Sequence, residues 1–335
     1  GGTLTDEDEA ALMARFSSAF SIEDHDARMD ALLWSRATRD AARQLGFTSP
    51  ARRPVFAARL AQLTEAGDAN EQATAVGAIA RDDSGYLADR ARYLRNTGQS
   101  YAARQLLATR LPLRVKPAKP DTWFEAMLIN AEAAANDRQW TVAYDIASKI
   151  EDAYATPTRI ADQESRVRDK YSDLAWVAGT AALNGMRQPA KAIRMFDLYA
   201  QSYDSPNITS KGYYWAGRAA AEAGQTEQAK AYFEKAAAFP DYFYGQLSLE
   251  RPGRPLPVFN RKPAVEITDA DRRAFDQEPL VIATKASVRT GPWREQIRFH
   301  RALAYNAKTA KDYMLISDLS TRIGARDLGV IKGIS

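Results

Sequence analysis

A helical hairpin is written twice in this chain. Trp176, Gly185 and Ala190-Lys191-Ala192 recur as Trp215, Gly224 and Ala229-Lys230-Ala231, each pair separated by 39 residues. A fixed period of this size, with small residues where two helices must approach and a glycine at the turn between them, predicts a helical-repeat array. One such unit cannot bury its apolar face alone, so the hairpins must stack into a curved array. A more diverged copy runs from Tyr86 to Leu107, where Gly98 and Ala103 keep the glycine-to-alanine spacing. The segment from Trp123 to Ile150 reads as a further hairpin, with no glycine at its turn.

Composition points the same way, because Ala, Arg, Leu, Asp, Glu and Gln dominate while Val and Ile are sparse. No segment sustains the period-two alternation of a half-buried strand. The expected fold is all-α, an irregular α-superhelix of tetratricopeptide-like hairpins followed by a small C-terminal helical domain. Usual helix and loop lengths give roughly sixteen to twenty helices. Acidic caps open several of them: Thr5-Asp6-Glu7-Asp8 ahead of Ala10, Leu12, Met13 and Phe16, then Ser21-Ile22-Glu23-Asp24, and later Thr268-Asp269-Ala270-Asp271. Pro252, Pro255, Pro257 and Pro263 mark a boundary, which divides the chain into residues 1–257 and 258–335.

Several chemistries are excluded or left without support. The 335 residues include no cysteine, so neither a disulfide framework nor a thiolate metal site is available. His25 and His300 lie far apart without metal-ligand or triad spacing, and no phosphate-binding glycine loop occurs. No metal, no cofactor and no catalytic residue is therefore expected. The net charge of +4 is too small and too dispersed to indicate nucleic acid as a partner, and no apolar run is long enough to span a bilayer. Gly1-Gly2 stands where an initiator Met would, and no charged segment followed by an apolar one opens the chain, so any targeting peptide is expected to have been removed already or never included.

Two segments are candidates for binding. Leu111 to Asp121 carries Pro112, Pro117 and Pro120 with Arg114, Lys116 and Lys119, the pattern of an exposed basic loop. Aromatic residues concentrate between Tyr213 and Phe259, and most of them suit helix packing. The Tyr242-Phe243-Tyr244 cluster after Pro240 is the best placed for ligand, because a breaker puts it at a helix end. Tyr242 and Tyr244, whose rings could stack on a sugar face, join the three basic residues as binding candidates.

Tyr214-Trp215-Ala216-Gly217-Arg218-Ala219-Ala220, then Ala236-Ala237, then Phe243-Tyr244-Gly245-Gln246-Leu247 closely resembles the end of the superhelical region of soluble lytic murein transglycosylases. Arg28 to Leu45, with Ala31-Leu32-Leu33-Trp34, resembles that family's opening repeats. The resemblance implies a periplasmic protein whose helices form a U-shaped array, closed into a ring by a helical linker domain. In the family a lysozyme-like domain sits on the ring. Its single Glu cleaves the bond between N-acetylmuramic acid and N-acetylglucosamine to leave a 1,6-anhydromuramyl end. The implied partners are peptidoglycan glycan strands and cell-wall proteins.

The family's catalytic motifs, a Glu-Ser followed by an aromatic, Gly-Leu-Met-Gln and Ala-Gly-x-x-Asn, do not occur before Ser335. Gln163-Glu164-Ser165-Arg166 imitates the first motif without its aromatic neighbour. The sequence thus reads as the non-catalytic superhelical and linker portion of a lytic transglycosylase. The alternatives are a stand-alone tetratricopeptide-like protein-interaction adaptor and an intact enzyme with an unrecognised site.

Overall fold

Six residues with left-handed backbone punctuate the first part of the chain: Arg36, Glu65, Gly98, Arg138, Arg187 and Gly224, with φ between 51° and 79°. Each stands at the turn of one helical hairpin. The computed structural model describes residues 5, 7, 8, 11, 15, 19–251, 253–256 and 265–325. Among them are seventeen α-helices and no β-strand, so the protein is all-α. The expected helix through Ala10, Leu12, Met13 and Phe16 falls outside the described residues, as do Phe259 and the 257/258 boundary.

The hairpins follow in order. α1 (Ile22–Trp34) and α2 (Thr38–Gln44) flank Arg36, and α3 (Arg53–Leu63) and α4 (Ala69–Val76) flank Glu65. α5 (Ser84–Asn96) and α6 (Ser100–Ala108) flank Gly98, while α7 (Pro120–Asn136) and α8 (Trp140–Ala147) flank Arg138. α9 (Ser165–Thr180) and α10 (Pro189–Ala200) flank Arg187, and α11 (Pro206–Glu222) and α12 (Thr226–Ala237) flank Gly224. α13 (Phe243–Glu250) then packs on α11 and α12. Each helix rests mainly on its near neighbours along the chain, which is the packing of a helical array.

The turns share one hydrogen-bonding device. The amide after the left-handed residue reaches back to a carbonyl in the last turn of the helix: Ala37 to Leu32 at 3.0 Å, Ala66 to Ala61 at 2.9 Å, Gln99 to Leu94 at 2.7 Å, Gln139 to Ala134 at 2.8 Å and Gln225 to Ala220 at 2.9 Å. This is the Schellman ending, which satisfies carbonyls that the helix leaves open. Four residues beyond that amide lies a buried alanine in five of the hairpins: Ala41, Ala103, Ala143, Ala192 and Ala229. A larger side chain there would hold the second helix away from the first.

This device corrects the register read from sequence. Gly185 is not the counterpart of Gly224, because the left-handed position in that hairpin is Arg187. Likewise Ala190 is exposed and Ala192 buried, whereas Ala229 is buried and Ala231 exposed. Ala192 therefore matches Ala229. The extra residues after Trp176 lie where α9 widens into a π turn at Ala181–Gly185. Gly185 is small for another reason, since a Cβ there would strike the Trp140 ring.

Left-handed backbone disfavours any residue with a Cβ, by about 1–2 kcal/mol. Gly224→Trp is expected to lower stability by about that amount through its φ of 75° alone, since nothing lies within 4 Å of a Cβ there. Trp at exposed Thr226 should be neutral. The converse changes, Arg138→Gly and Arg187→Gly, are expected to raise stability by about 0.5–1 kcal/mol after the added freedom of the unfolded chain is deducted. Urea unfolding midpoints check all four, and a loss of stability in both glycine variants would contradict the strain argument.

Contacts divide the chain into two compact units, Gly1–Arg251 and Pro252–Ser335. In the second, α14 (Asp269–Asp276), α15 (Pro279–Thr290), α16 (Trp293–Asn306) and α17 (Ala310–Arg322) enclose Phe275, Val281, Leu303, Leu315, Ile316 and Leu319. Reciprocal capping boxes at Thr268/Asp271 and Thr309/Asp312 start α14 and α17. Asp276 ties three helices, accepting both Arg322 nitrogens at 2.9 and 3.0 Å from α17 and Lys285 Nζ at 2.8 Å from α15.

The hydrogen bonds from Arg322 hold the Asp276 carboxyl down at about 2. Because its folded pKa lies below the unfolded one, its contribution is complete above the ordinary aspartate range. It is lost as pH falls from about 4 towards 2. Asp276→Asn should lower the melting temperature of this unit at pH 7 and make little difference at pH 2. An equal loss at both pH values would show that shape, not charge, is what Asp276 supplies.

Candidate functional site

The residues picked from the basic loop are used in three different ways. The segment from Leu111 to Pro120 is pinned to its neighbours: Leu113 and Pro117 are buried, and the Arg114 and Val115 amides donate to the Asp82 carbonyl at 3.0 and 3.1 Å. Arg114 is exposed and its Nε lies 3.2 Å from an Asp82 carboxylate oxygen. Lys116 departs from the expectation of an exposed loop cation. It is half-buried, and its Nζ donates to the carbonyls of Leu113 and Asp152, both at 2.7 Å. Lys119 is exposed at the start of α7 and donates to Ser35 Oγ at 3.0 Å.

Beneath this loop, Arg110 is fully buried and grips Asp152 with two nitrogens while lying over the Trp123 ring. Asp152 also accepts the Leu113 amide. The loop is therefore held by a buried ion pair whose charge is largely spent inside the fold. Only Arg114 and Lys119 present cations outward.

The aromatic residues gather on α9 to α13. Trp176 and Trp215, the two repeated tryptophans, meet edge to face with ring centroids 5.8 Å apart, and Phe196 and Tyr199 complete the group. Farther along, Tyr214 packs against Phe233 at 5.9 Å and Tyr244 at 5.4 Å, and Phe243 meets Tyr244 at 5.1 Å. Tyr244 is thus part of the packing between α11 and α13, whereas Phe243 is 65% exposed. Tyr242 is the half-buried residue that precedes α13, where its amide donates to the Phe239 carbonyl at 3.1 Å.

Cations cover these rings. Lys211 Nζ lies 3.7 Å from the Trp176 ring centre, Arg218 sits over Trp215, Lys235 over Tyr213 and Tyr232, and Arg251 over Tyr214 and Phe233. Burial lowers the pKa of Lys211, and the nearby Asp173 opposes that shift. Sequence reading found the rings but not the cations, because each cation comes from another turn or another helix. Partly exposed rings interleaved with positive charge can stack on an apolar sugar face while pairing an attached carboxylate.

No group of acids or histidines among the described residues could hold a metal ion. Glu164 is exposed as the N-cap residue of α9, where its carbonyl accepts the Val167 and Arg168 amides. His25 stacks on Phe47, and Gln44 Nε2 lies 3.0 Å from its Nδ1. His300 is buried with Nδ1 2.9 Å from the Gln296 carbonyl. None of the described helices is long and apolar enough to cross a membrane. No protein-family model matches the chain, and no curated protein matches it significantly.

Proposed function

We propose that this chain is the superhelical portion of a periplasmic lytic transglycosylase, one that cleaves peptidoglycan to 1,6-anhydromuramyl products. Its own work is to position the enzyme on glycan strands. The observation that carries the reading is that the segments between Tyr214 and Leu247 that resemble that family are adjacent in space as well as ordered in sequence. Gly217 of the Tyr-Trp-Ala-Gly-Arg segment leaves room for Phe233, and Gly245 of the Phe-Tyr-Gly-Gln segment seats α13 against the Phe239 carbonyl. Tyr214 and Tyr244 join the two segments directly. Residues of one motif thus support residues of the other, as a motif set by packing requires.

The second reading, a tetratricopeptide-like adaptor for proteins, is favoured by the turn device itself. A left-handed residue followed five positions later by a buried alanine is a general solution for stacking helical hairpins, whatever the array binds.

Sedimentation with purified sacculi separates the two. The chain should pellet with sacculi at low salt and be released as salt rises, since exposed charges are screened within roughly 8 Å at physiological ionic strength. Arg114→Ser with Lys119→Ser should weaken pelleting several-fold at unchanged helical content. Lys116 is left in place because it holds the loop. If the wild-type chain fails to pellet at any salt, the glycan reading falls and the adaptor reading takes its place.

A further inference from the structure

A cavity of about 290 Å³ opens between α1, α5 and α7, each the first helix of its hairpin. It is lined by Trp34, Arg36, Asp89, Arg92, Arg95 and Glu125, with Asn96, Thr122 and Asn130 among the polar neighbours. The size lies at the lower end for small-ligand sites and suits a small molecule or the end of a larger one.

The charges there do not cancel. Both acids are engaged by bases outside the lining: Asp89 accepts Arg59 Nε at 2.7 Å, and Glu125 lies 3.2 Å from Lys170 Nζ. Among the described residues, no carboxylate lies within ion-pair distance of Arg36, Arg92 or Arg95. Glu65, across the neighbouring hairpin, accepts Asn96 Nδ2 at 3.0 Å. Burial, then the positive charges of Arg36 and Arg95, push the Arg92 guanidinium below its ordinary range, against the pull of Asp89 and Glu65.

Three guanidinium groups from two separate hairpins line one cavity with no carboxylate at ion-pair distance, and Arg36 and Arg95 both push on Arg92 in the empty state. An oxyanion removes that repulsion and matches the paired N–H geometry of arginine. We infer that this cavity is a binding site for a carboxylate or phosphate group, held by Arg36, Arg92 and Arg95. The inference does not depend on the glycan reading, because its site is distinct from the aromatic helices and from Arg114.

Calorimetric titration at low ionic strength with citrate and, separately, with inorganic phosphate tests it. The wild-type chain should bind at least one of them, and the tighter of the two identifies the class of anion. Arg92→Gln combined with Arg95→Gln should weaken that binding at least tenfold, while the exposed Arg289→Gln should not change it. Without anion, the same double variant should melt at or above the wild-type temperature, since it removes repulsion without removing an ion pair. Absence of binding of both probes to the wild-type chain overturns the inference. So does a double variant that binds as tightly as wild type.

Discussion

Arg59→Met is expected to destabilise the first unit by about 3–5 kcal/mol, the usual result of removing one partner from a buried ion pair. Arg59 has no exposed surface, yet its Nη1 lies 2.5 Å from Asp30 on α1 and its Nε 2.7 Å from Asp89 on α5. Its guanidinium also lies over Trp34 at 5.3 Å. One side chain of α3 thereby joins the first helices of three consecutive hairpins. Methionine would fill much of the space but leave Asp30 and Asp89 without the cation that both contact directly.

Burial already pushes the Asp89 carboxyl up to about 6 despite the opposing charge of Arg59. Loss of Arg59 would raise it further. A group whose folded pKa exceeds its unfolded value stabilises most below the unfolded pKa, and that contribution is lost as pH rises through the folded one. The penalty of Arg59→Met should accordingly be smaller at pH 5 than at pH 8. Urea unfolding at both values checks this, and an equal penalty would mean that packing, not charge, dominates.

The same pocket predicts a coupling with Gly85. A Cβ at Gly85 would run into the Arg59 guanidinium, so Gly85→Ala should be costly in the wild-type protein and nearly free beside Arg59→Ala. Additive losses in the double variant would exclude the steric part of the argument.

Gly212→Val is expected to cost about 3 kcal/mol or more, towards the upper end for overpacked cores. Gly212 on α11 faces the backbone of α10, where a Cβ would come within 2.6 Å of the Ala200 Cα and amide nitrogen. Backbone cannot swing aside as a side chain can, so α10 and α11 must separate along their contact. Gly217→Ala is the control, since the nearest atom there is the Phe233 ring at 2.8 Å, and a ring can turn. It should cost distinctly less. Equal losses at the two positions, measured by thermal and urea unfolding, would show that the two helices are not held as closely as this geometry requires.

These glycines show what was legible in advance. Gly98 and Gly224 were readable as turns because a glycine between two periodic segments is a local signal, and both adopt left-handed backbone. Gly185 carried the same appearance, yet it serves a tryptophan from the preceding hairpin. Arg36, Glu65, Arg138 and Arg187 do the turning elsewhere, and no local rule selects an arginine for that conformation. The candidate site divides in the same way. Arg114 and Lys119 are exposed as expected, while Lys116 was recruited by a carbonyl 36 residues away.

The sequence by itself determined the all-helical class, the repeated hairpin and the absence of thiolate chemistry, because helix propensity, capping and composition act within a few residues. Tertiary structure decided the register of the repeats, the burial of Arg59 and the gathering of Arg36 with Arg92 and Arg95. Those outcomes depend on side chains about thirty or more residues apart, such as Arg59 with Asp30 and Asp89, and a charged residue carries no local mark of whether it will meet water, a partner or a cavity.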